Sequence, residues 1–356
     1  MSIEEKIKLN AKHVWHYIKR KKNTIKAVKR ARQCALAPSC YPEAKLKSED
    51  KRIADNVAWA KKYGEPNEFY TLYGLDRVGS DPGEFVDYLH FMTSRNVVNH
   101  MGGIDSQLVI LRDKFMFYKY MKSCNLPVPE VFAIWKKGKL YDVDFNELSW
   151  DNLEDKEDYF VKSIDGECAS FVRHISNFVE LTKVKNEFEK DGSYIFQNRV
   201  IQSKEMDVLN PNAINTYRIV TINKDGNTYL LTALLRVGTK KTGNVDNWAA
   251  GGLAIGINQN GYLKKYGFYK PIYGTKIDTH PDTNIKFSEF QAPEYREAVE
   301  LACRAHRTLY GIRAIGWDVA ISENGPVFIE GNDNWEISLN QACDRPLRKE
   351  WEEVIQ

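Results

Sequence analysis

Residues 311–332 read GIRAIGWDVAISENGPVFIEGN. At a period of two, Ile315, Trp317, Val319 and Ile321 point to one side, and Gly316, Asp318, Ala320 and Ser322 to the other. Glu323-Asn324-Gly325 interrupts the run and Val327, Phe328 and Ile329 resume it, which predicts a β-hairpin. A three-residue loop with glycine in the left-handed position is a common connection. That loop sets Ser322 opposite Pro326 and Asp318 opposite Glu330, and Asn332 shares the face of Glu330. One face then carries two carboxylates and an amide, and the other is aliphatic. Like charges directly opposite across strands are destabilising without a compensating cation. Oxygen donors of this kind suit a hard cation such as Mg²⁺, which bridges to substrate phosphates. A solvated face explains the same pattern, so the rest of the chain has to decide.

The composition narrows the field. A chain of 356 residues with 43% hydrophobic and 12% aromatic content supports two or three domains or one large α/β body. No run approaches 18 apolar residues, so no transmembrane helix is expected. The opening MSIEEKIKLNAKH has no apolar h-region, so no signal peptide is expected either. The six cysteines, at 34, 40, 124, 168, 303 and 343, form no C-x-x-C pair and read as reduced thiols of a cytoplasmic protein. The net charge of +3 conceals an asymmetry: residues 1–32 hold 11 Lys or Arg and 2 Glu, so the remaining 40 basic and 46 acidic residues net −6.

That basic head reads as a helix over residues 2–33, with Ile3, Ile7, Val14, Ile18, Ile25 and Val28 on a loose apolar stripe. Such a helix either touches an anionic membrane surface or a polyanionic glycan, or packs its stripe on the body. A nucleic-acid partner is not expected. The first hundred residues look helical, with a helix over 48–63 and a helix start at Asp81-Pro82-Gly83-Glu84 leading into Phe85–Met92. Beyond residue 100 the pattern becomes mixed α+β. A helix over Arg112–Cys124 precedes a strand at Val131–Trp135. Further strands are expected at Tyr159–Lys162, Phe171–His174 and Tyr194–Gln202. Two long strands, Asn215–Asn223 and Tyr229–Gly238, enclose a turn at Lys224–Asn227. Fifteen residues of loop, Gly238–Gly252, separate these from later elements. A helix over Pro293–Tyr310 leads into the hairpin, and a last helix is expected over Asn340–Val354.

Several charged residues stand out in this arrangement. Lys114 sits at a helix start, and Lys162 ends a strand before a polar loop, where a lysine beside backbone N–H groups can neutralise phosphate. Arg218 and Arg236 lie in apolar strands, and a buried guanidinium requires an anionic partner. That partner is either an acidic residue of a neighbouring strand or a phosphate or carboxylate ligand, which a planar fork suits.

In order, Asp113-Lys114, Phe160-Val161-Lys162, Phe196-Gln197-Asn198-Arg199-Val200, Asn215-Thr216-Tyr217-Arg218, Trp317-Asp318 and Glu330-Gly331-Asn332 resemble an ATP-grasp enzyme. The chain is most similar to the sugar-transfer-associated ATP-grasp family and the related teichuronopeptide-synthesis type, over roughly residues 100–345. The resemblance implies an α+β ATP-grasp fold, two subdomains clasping ATP, preceded here by a helical region. The expected divisions are 1–100, 101–195 with the lysines, and 196–356 with the hairpin. By resemblance, Lys114 and Lys162 contact ATP phosphates, and Gln197, Asn198, Arg199 and Val200 form the hinge that reads adenine. Arg218 stabilises the γ-phosphate or an acyl phosphate, and Asp318, Glu330 and Asn332 hold two Mg²⁺ ions. As an extension, Arg236 with Asp246, Asn247, Gly251 and Gly252 lies near the acceptor. Asp246 is suited to an ammonium group, and the 238–252 loop to closing over it.

The implied activity is ATP-dependent carboxylate–amine ligation through an acyl phosphate, in polysaccharide or cell-surface glycan synthesis. Phosphotransfer to a sugar-like hydroxyl and non-catalytic nucleotide binding in a glycan assembly are the alternatives. The implied location is the cytoplasm, where the basic head allows peripheral contact at the inner membrane face. Two features depart from the family pattern. Ser163-Ile164-Asp165-Gly166-Glu167-Cys168 has one glycine and two acids where a glycine-rich lid is usual, and the chain begins with helices where a Rossmann-like domain is common. A further expectation is that Asp318→Asn abolishes turnover and leaves folding intact, because the carboxylate lines a surface.

Overall fold

The computed structural model describes residues 25–100, 105–165, 171–188, 192–243, 246–271 and 273–356. Most of the basic head therefore lies outside the described residues. Its last part, α1 (residues 25–35), is helical and packs Ala27 and Ala31 against Ala60. That contact favours packing on the body over surface attachment for this stretch.

Two helices come next. In α2 (Glu49–Tyr63) the Ser48 side chain accepts the Lys51 N–H, and Gly64 closes the helix at φ 90°. The second, α3 (Tyr88–His100), begins later than Asp81-Pro82-Gly83-Glu84 suggests, because those residues make only a 3₁₀ turn. The helix expected over Arg112–Cys124 is two, α4 (Leu108–Arg112) and α5 (Lys114–Ser123). Asp113 divides them: its carboxylate accepts the N–H groups of Phe115 and Met116 and starts a new helix.

The first sheet has the order β3-β2-β1-β6-β4-β5. Its strands are β1 (Val131–Lys136), β2 (Lys139–Tyr141), β3 (Glu147–Leu148), β4 (Tyr159–Ser163), β5 (Val172–Ile175) and, after α6 (Phe178–Val184), β6 (Ser193–Asn198). Strand β6 stops at Asn198, short of the expected Gln202, because Ser203 caps a short helix, α7 (Lys204–Leu209).

The second sheet has the order β11-β10-β9-β8-β7-β12-β13. It comprises β7 (Thr216–Lys224), β8 (Asn227–Val237), β9 (Leu253–Ile257), β10 (Leu263–Phe268), β11 (Lys276–Ile277), β12 (Ala314–Ser322) and β13 (Gly325–Asn332). Ahead of β12, α8 (Tyr295–Thr308) buries Ala298, Leu301, Ala302 and Ala305 at helical spacing. These residues share one core with Ile315, Trp317, Val319 and Ile321, the aliphatic face expected for the hairpin.

The opposite face of this sheet is covered by residues from both ends of the chain. Trp59, Tyr70 and Leu72 pack with Leu234, Ala254 and Phe268. Phe91 and Val98 pack with Val220, Ala314, Trp335 and Trp351. The last helix is also two, α9 (Ile337–Cys343) and α10 (Arg348–Ile355), separated at Asp344-Arg345-Pro346, where proline and the preceding residue disfavour helix.

The hairpin itself forms, with a correction at its tip. Ser322 pairs with Gly325, which takes φ 101°, so the loop has two residues, Glu323 and Asn324. The register then shifts: Val319 faces Phe328, whereas Asp318 faces Glu330. Ile329 is the extra residue of a β-bulge. The bulge cancels the difference in loop length, and Asp318 lies opposite Glu330 as expected.

Candidate active site

Asp318 is the buried centre of the site. Arg218, its cross-strand neighbour on β7, donates Nε to Oδ1 at 2.6 Å and Nη2 to Oδ2 at 3.1 Å. Arg236 of β8 places Nη2 at 3.1 Å from Oδ2. Burial raises the carboxyl pKa, and the two guanidinium groups outweigh that and hold it at about 2. Glu330, within hydrogen-bonding reach of Asp318, has the opposite balance: burial, then the charge of Asp318, pushes its pKa up. Asn332 Nδ2 donates to Glu330 Oε1 at 3.2 Å.

The three expected metal ligands thus converge. A carboxylate held ionised against a second carboxyl driven toward its protonated form is a pair that a cation would relieve. Among the described residues no group of three or more His, Cys, Asp or Glu side chains gathers to hold a metal. The oxygen donors gathered here are two carboxylates and one amide. The residues therefore fit Mg²⁺, provided that Arg218 yields some of its hold on Asp318.

The first sheet brings a second group to the same place. Lys162 Nζ donates to Gln197 Oε1 at 2.8 Å. Burial brings its pKa down to about 8, with Glu330 pulling upward and Lys114 pushing further down. Lys162 thus feels both the hairpin carboxylate and Lys114. The Lys114 N–H also meets Ile164 O at 3.1 Å, which ties the start of α5 to the end of β4. Beyond β4, Asp165 accepts from Ser163 Oγ at 3.0 Å, and residues 166–170 lie outside the described residues.

The expected hinge residues divide. Gln197 is buried and bonded to the half-buried Lys162, and the Asn198 N–H is bonded to Glu130 O at 2.8 Å. Arg199 turns its side chain to Asp158, at 3.1 and 3.2 Å.

The acceptor residues need correction. Asp246 does not offer a free carboxylate to an ammonium group. It is 6% exposed, pairs with Arg236 at 3.1 Å, and accepts from the N–H and Oγ1 of Thr216. A buried guanidinium needed an anion, and Asp246 and Asp318 supply it: burial would lower the Arg236 pKa, and these two acids raise it. Asn247, Gly251 and Gly252 build a turn. Asn247 Oδ1 accepts the Ala249 N–H at 2.9 Å, and Gly251 ends the 3₁₀ turn at φ 99°. A Cβ on Gly252 would meet Asp246 O at 2.6 Å. Trp248 is buried and donates Nε1 to Phe268 O at 2.9 Å. This end of the 238–252 loop is anchored to the body, unlike a hinged lid.

Sequence reasoning missed the acidic partner of Arg236. Two charged residues ten apart, one in an apolar strand and one in the loop that leaves it, were the available signal. It also missed Arg95, Asn99 and Arg112, which hold the chain after β13.

Two sheets that bring lysines and a carboxylate hairpin to one charged site form an ATP-grasp fold. The chain belongs to the sugar-transfer associated ATP-grasp family, whose model matches residues 103–356. No curated protein sequence matches it. Among solved structures it is similar to D-alanine–D-alanine ligase from Helicobacter pylori (14% identity, TM-score 0.43, 69% of this chain and 61% of that one). It is also similar to D-alanyl-alanine synthetase A from Vibrio cholerae (9%, 0.42, 69% and 64%). A third is N5-carboxyaminoimidazole synthase from Aspergillus clavatus, in complex with ADP (8%, 0.40, 64% and 46%). The match spans from about half to under two thirds of these structures' own lengths.

Proposed function

We propose that this chain is an ATP-dependent ligase joining a carboxylate to an amine through an acyl phosphate. The observation that supports it best is that Lys162 on one sheet feels the charge of Glu330 on the other, where Glu330 adjoins Asp318, held by Arg218, and Asn332. We assign three segments, with residues 1–100 as an N-terminal region that includes the basic head, 101–195 as the lysine-bearing subdomain and 196–356 as the hairpin subdomain, although β6 carries the first sheet three residues past that boundary, to Asn198.

In this reading Lys114 and Lys162 neutralise the ATP phosphates, and residues 197–200 hold adenine through backbone groups. Asp318, Glu330 and Asn332 hold Mg²⁺, which when bound supplies charge neutralisation and orients the phosphates. The substrate carboxylate oxygen attacks the γ-phosphorus, and the bond to the β,γ-bridging oxygen breaks to release ADP. Arg218, poised beside Asp318, meets the charge on the transferring phosphoryl group. The amine then attacks the acyl carbon, and phosphate and a proton leave as the amide forms. Arg236, held by Asp246, shapes the acceptor side. The family's sugar-transfer association supports a carboxylate or amine carried on a glycan.

We further propose that the basic head, residues 1–32, acts in location, in the cytoplasm beside an anionic membrane surface or polyanionic glycan. A net +9 over residues 1–32 in an otherwise acidic chain supports this. No helix among the described residues is long and apolar enough to cross a membrane.

The test is ATP turnover, read as ADP plus phosphate, with a panel of carboxylates and amines. Phosphate release that requires both a carboxylate and an amine supports ligation. Transfer to a hydroxyl without free phosphate indicates the phosphotransferase instead, and no turnover with any acceptor pair overturns the enzymatic reading.

A further inference from the structure

Strand β13 leaves the sheet after Asn332, and residues 333–335 are held by a helix outside the family-matched region. The Arg313 carbonyl takes the Asn223 N–H on β7 at 2.8 Å. In an antiparallel ladder, the N–H and C=O of Ala314 then face away from β7, toward the side of β13. The register that sets Gly316 opposite Asn332 would bring Asn334 opposite Ala314, but the chain has already left the ladder. Asn99 of α3 takes that place. Its Oδ1 accepts the Ala314 N–H at 2.9 Å, and its Nδ2 donates to Ala314 O at 3.1 Å and to Asp333 O at 3.3 Å. One carboxamide thus supplies the donor and acceptor that a neighbouring strand would have given.

Arg95, one helical turn earlier on the same face, is fully buried. Its Nη1 donates to Trp335 O and its Nη2 to Asn334 Oδ1. From α4, Arg112 grips the Asp333 carboxylate through Nε and Nη2. Gly316 lets this segment cross the site face closely, since a Cβ there would meet Trp335 Cβ at 2.6 Å. Every residue from 333 to 335 is therefore bonded to α3 or α4, and residue 333 is the next along the chain from Asn332.

We propose that α3 positions the metal-facing end of the hairpin, with Arg95 and Asn99 as positioning residues that act through Glu330 and Asn332. The inference rests on the reading of those two residues as Mg²⁺ ligands. Displacements of about 1 Å in a supporting shell are enough to weaken a site. On this view the helical cover is part of the catalytic apparatus, although the family pattern begins only after it, at residue 103.

The experiment titrates Mg²⁺ against ATP binding to the full chain, well below the melting temperature, in the parent, Asn99→Ala and Asn56→Ala. Asn56 is a buried asparagine bonded to Ala31 and Asn67, remote from the hairpin, and serves as the stability control. Asn99→Ala should raise the half-saturating Mg²⁺ about tenfold, the low end for partners that orient metal ligands. Its affinity for ATP without metal should be unchanged. Asn56→Ala should lower the melting temperature and leave the Mg²⁺ dependence alone. If Asn99→Ala fails to fold, Arg95→Lys should shift the same Mg²⁺ dependence by a smaller factor. The inference is overturned if the substituted chain binds Mg²⁺–ATP as the parent does, or if metal-free ATP weakens equally. If the parent itself shows no Mg²⁺-dependent ATP binding, the ligase reading fails first and this inference falls with it.

Discussion

Lys162 Nζ donates to Gln197 Oε1 at 2.8 Å although the two residues are not directly opposed. The register pairs Lys162 with Ile195 and Gln197 with Phe160, so the contact is a diagonal one between side chains of the same sheet face. Lys162 is half-buried, and desolvation of its ammonium holds the pKa at about 8 against an ordinary 10.5. Between those values the unfolded chain binds the proton and the folded chain does not, so this residue's contribution to stability rises with pH across the window. A bound polyphosphate acts in the opposite sense by favouring the charged lysine. ATP binding above pH 8 should therefore take up a proton, and affinity should fall by up to about tenfold per pH unit. Lys162→Arg should flatten that slope. Calorimetry in two buffers of different ionisation enthalpy measures the proton directly, and no uptake at pH 9 would remove Lys162 from the phosphate site.

Asp318→Asn should abolish turnover, as the sequence implies, but not silently. The carboxylate is buried between Arg218 and Arg236, and removing one partner of a buried ion pair costs about 3–5 kcal/mol. Asparagine keeps one acceptor, so the expected loss is at the lower end of that range. Denaturant unfolding should show it as a lower midpoint with an unchanged slope. A variant as stable as the parent would mean that Asp246 suffices for Arg236 and Glu330 for Arg218.

Asp246→Asn should lower stability and turnover and leave the KM for the amine near the parent value. Its oxygens are occupied by Arg236 and Thr216, so the first loss falls on that cluster. Adding Arg236→Met to this variant should recover part of the lost stability by removing the uncompensated charge. A specific rise in amine KM with stability intact would restore the direct contact expected from the sequence.

These two carboxylates show what sequence reading reached and where it stopped. The Asp318–Glu330 pair was legible because a period of two and a turn signal determine it locally, with the bulge at Ile329 correcting a loop one residue too long. The Asp246–Arg236 pair was not, since either charge had an equally good partner in a ligand. Strand β9 left no alternating signature because all five of its residues are buried, so neither face reads as polar. The hold of α3 on the hairpin joins residues more than two hundred apart, which no local pattern reports.

Removing residues 1–24 should leave turnover of small substrates unchanged and weaken salt-sensitive binding to vesicles rich in anionic lipid. A cut after residue 32 should also cost stability, because Ala27 and Ala31 are buried against Ala60. Co-sedimentation at low and high salt checks the first, and thermal unfolding the second. Unchanged vesicle binding after both cuts would dissociate the head's charge from location, since the shorter one leaves Lys26, Lys29, Arg30 and Arg32 in place.

The hydrogen bonds from α3 to the hairpin end have a further effect, during synthesis. Asn99 and Arg95 must wait for partners 215 to 240 residues further along. At about 5–20 residues per second, that interval is roughly ten to fifty seconds, in which a buried arginine and a row of aromatic side chains have nowhere to dock. A nascent chain halted before residue 335 should be open to protease within residues 25–100, and release of the full chain should close that window.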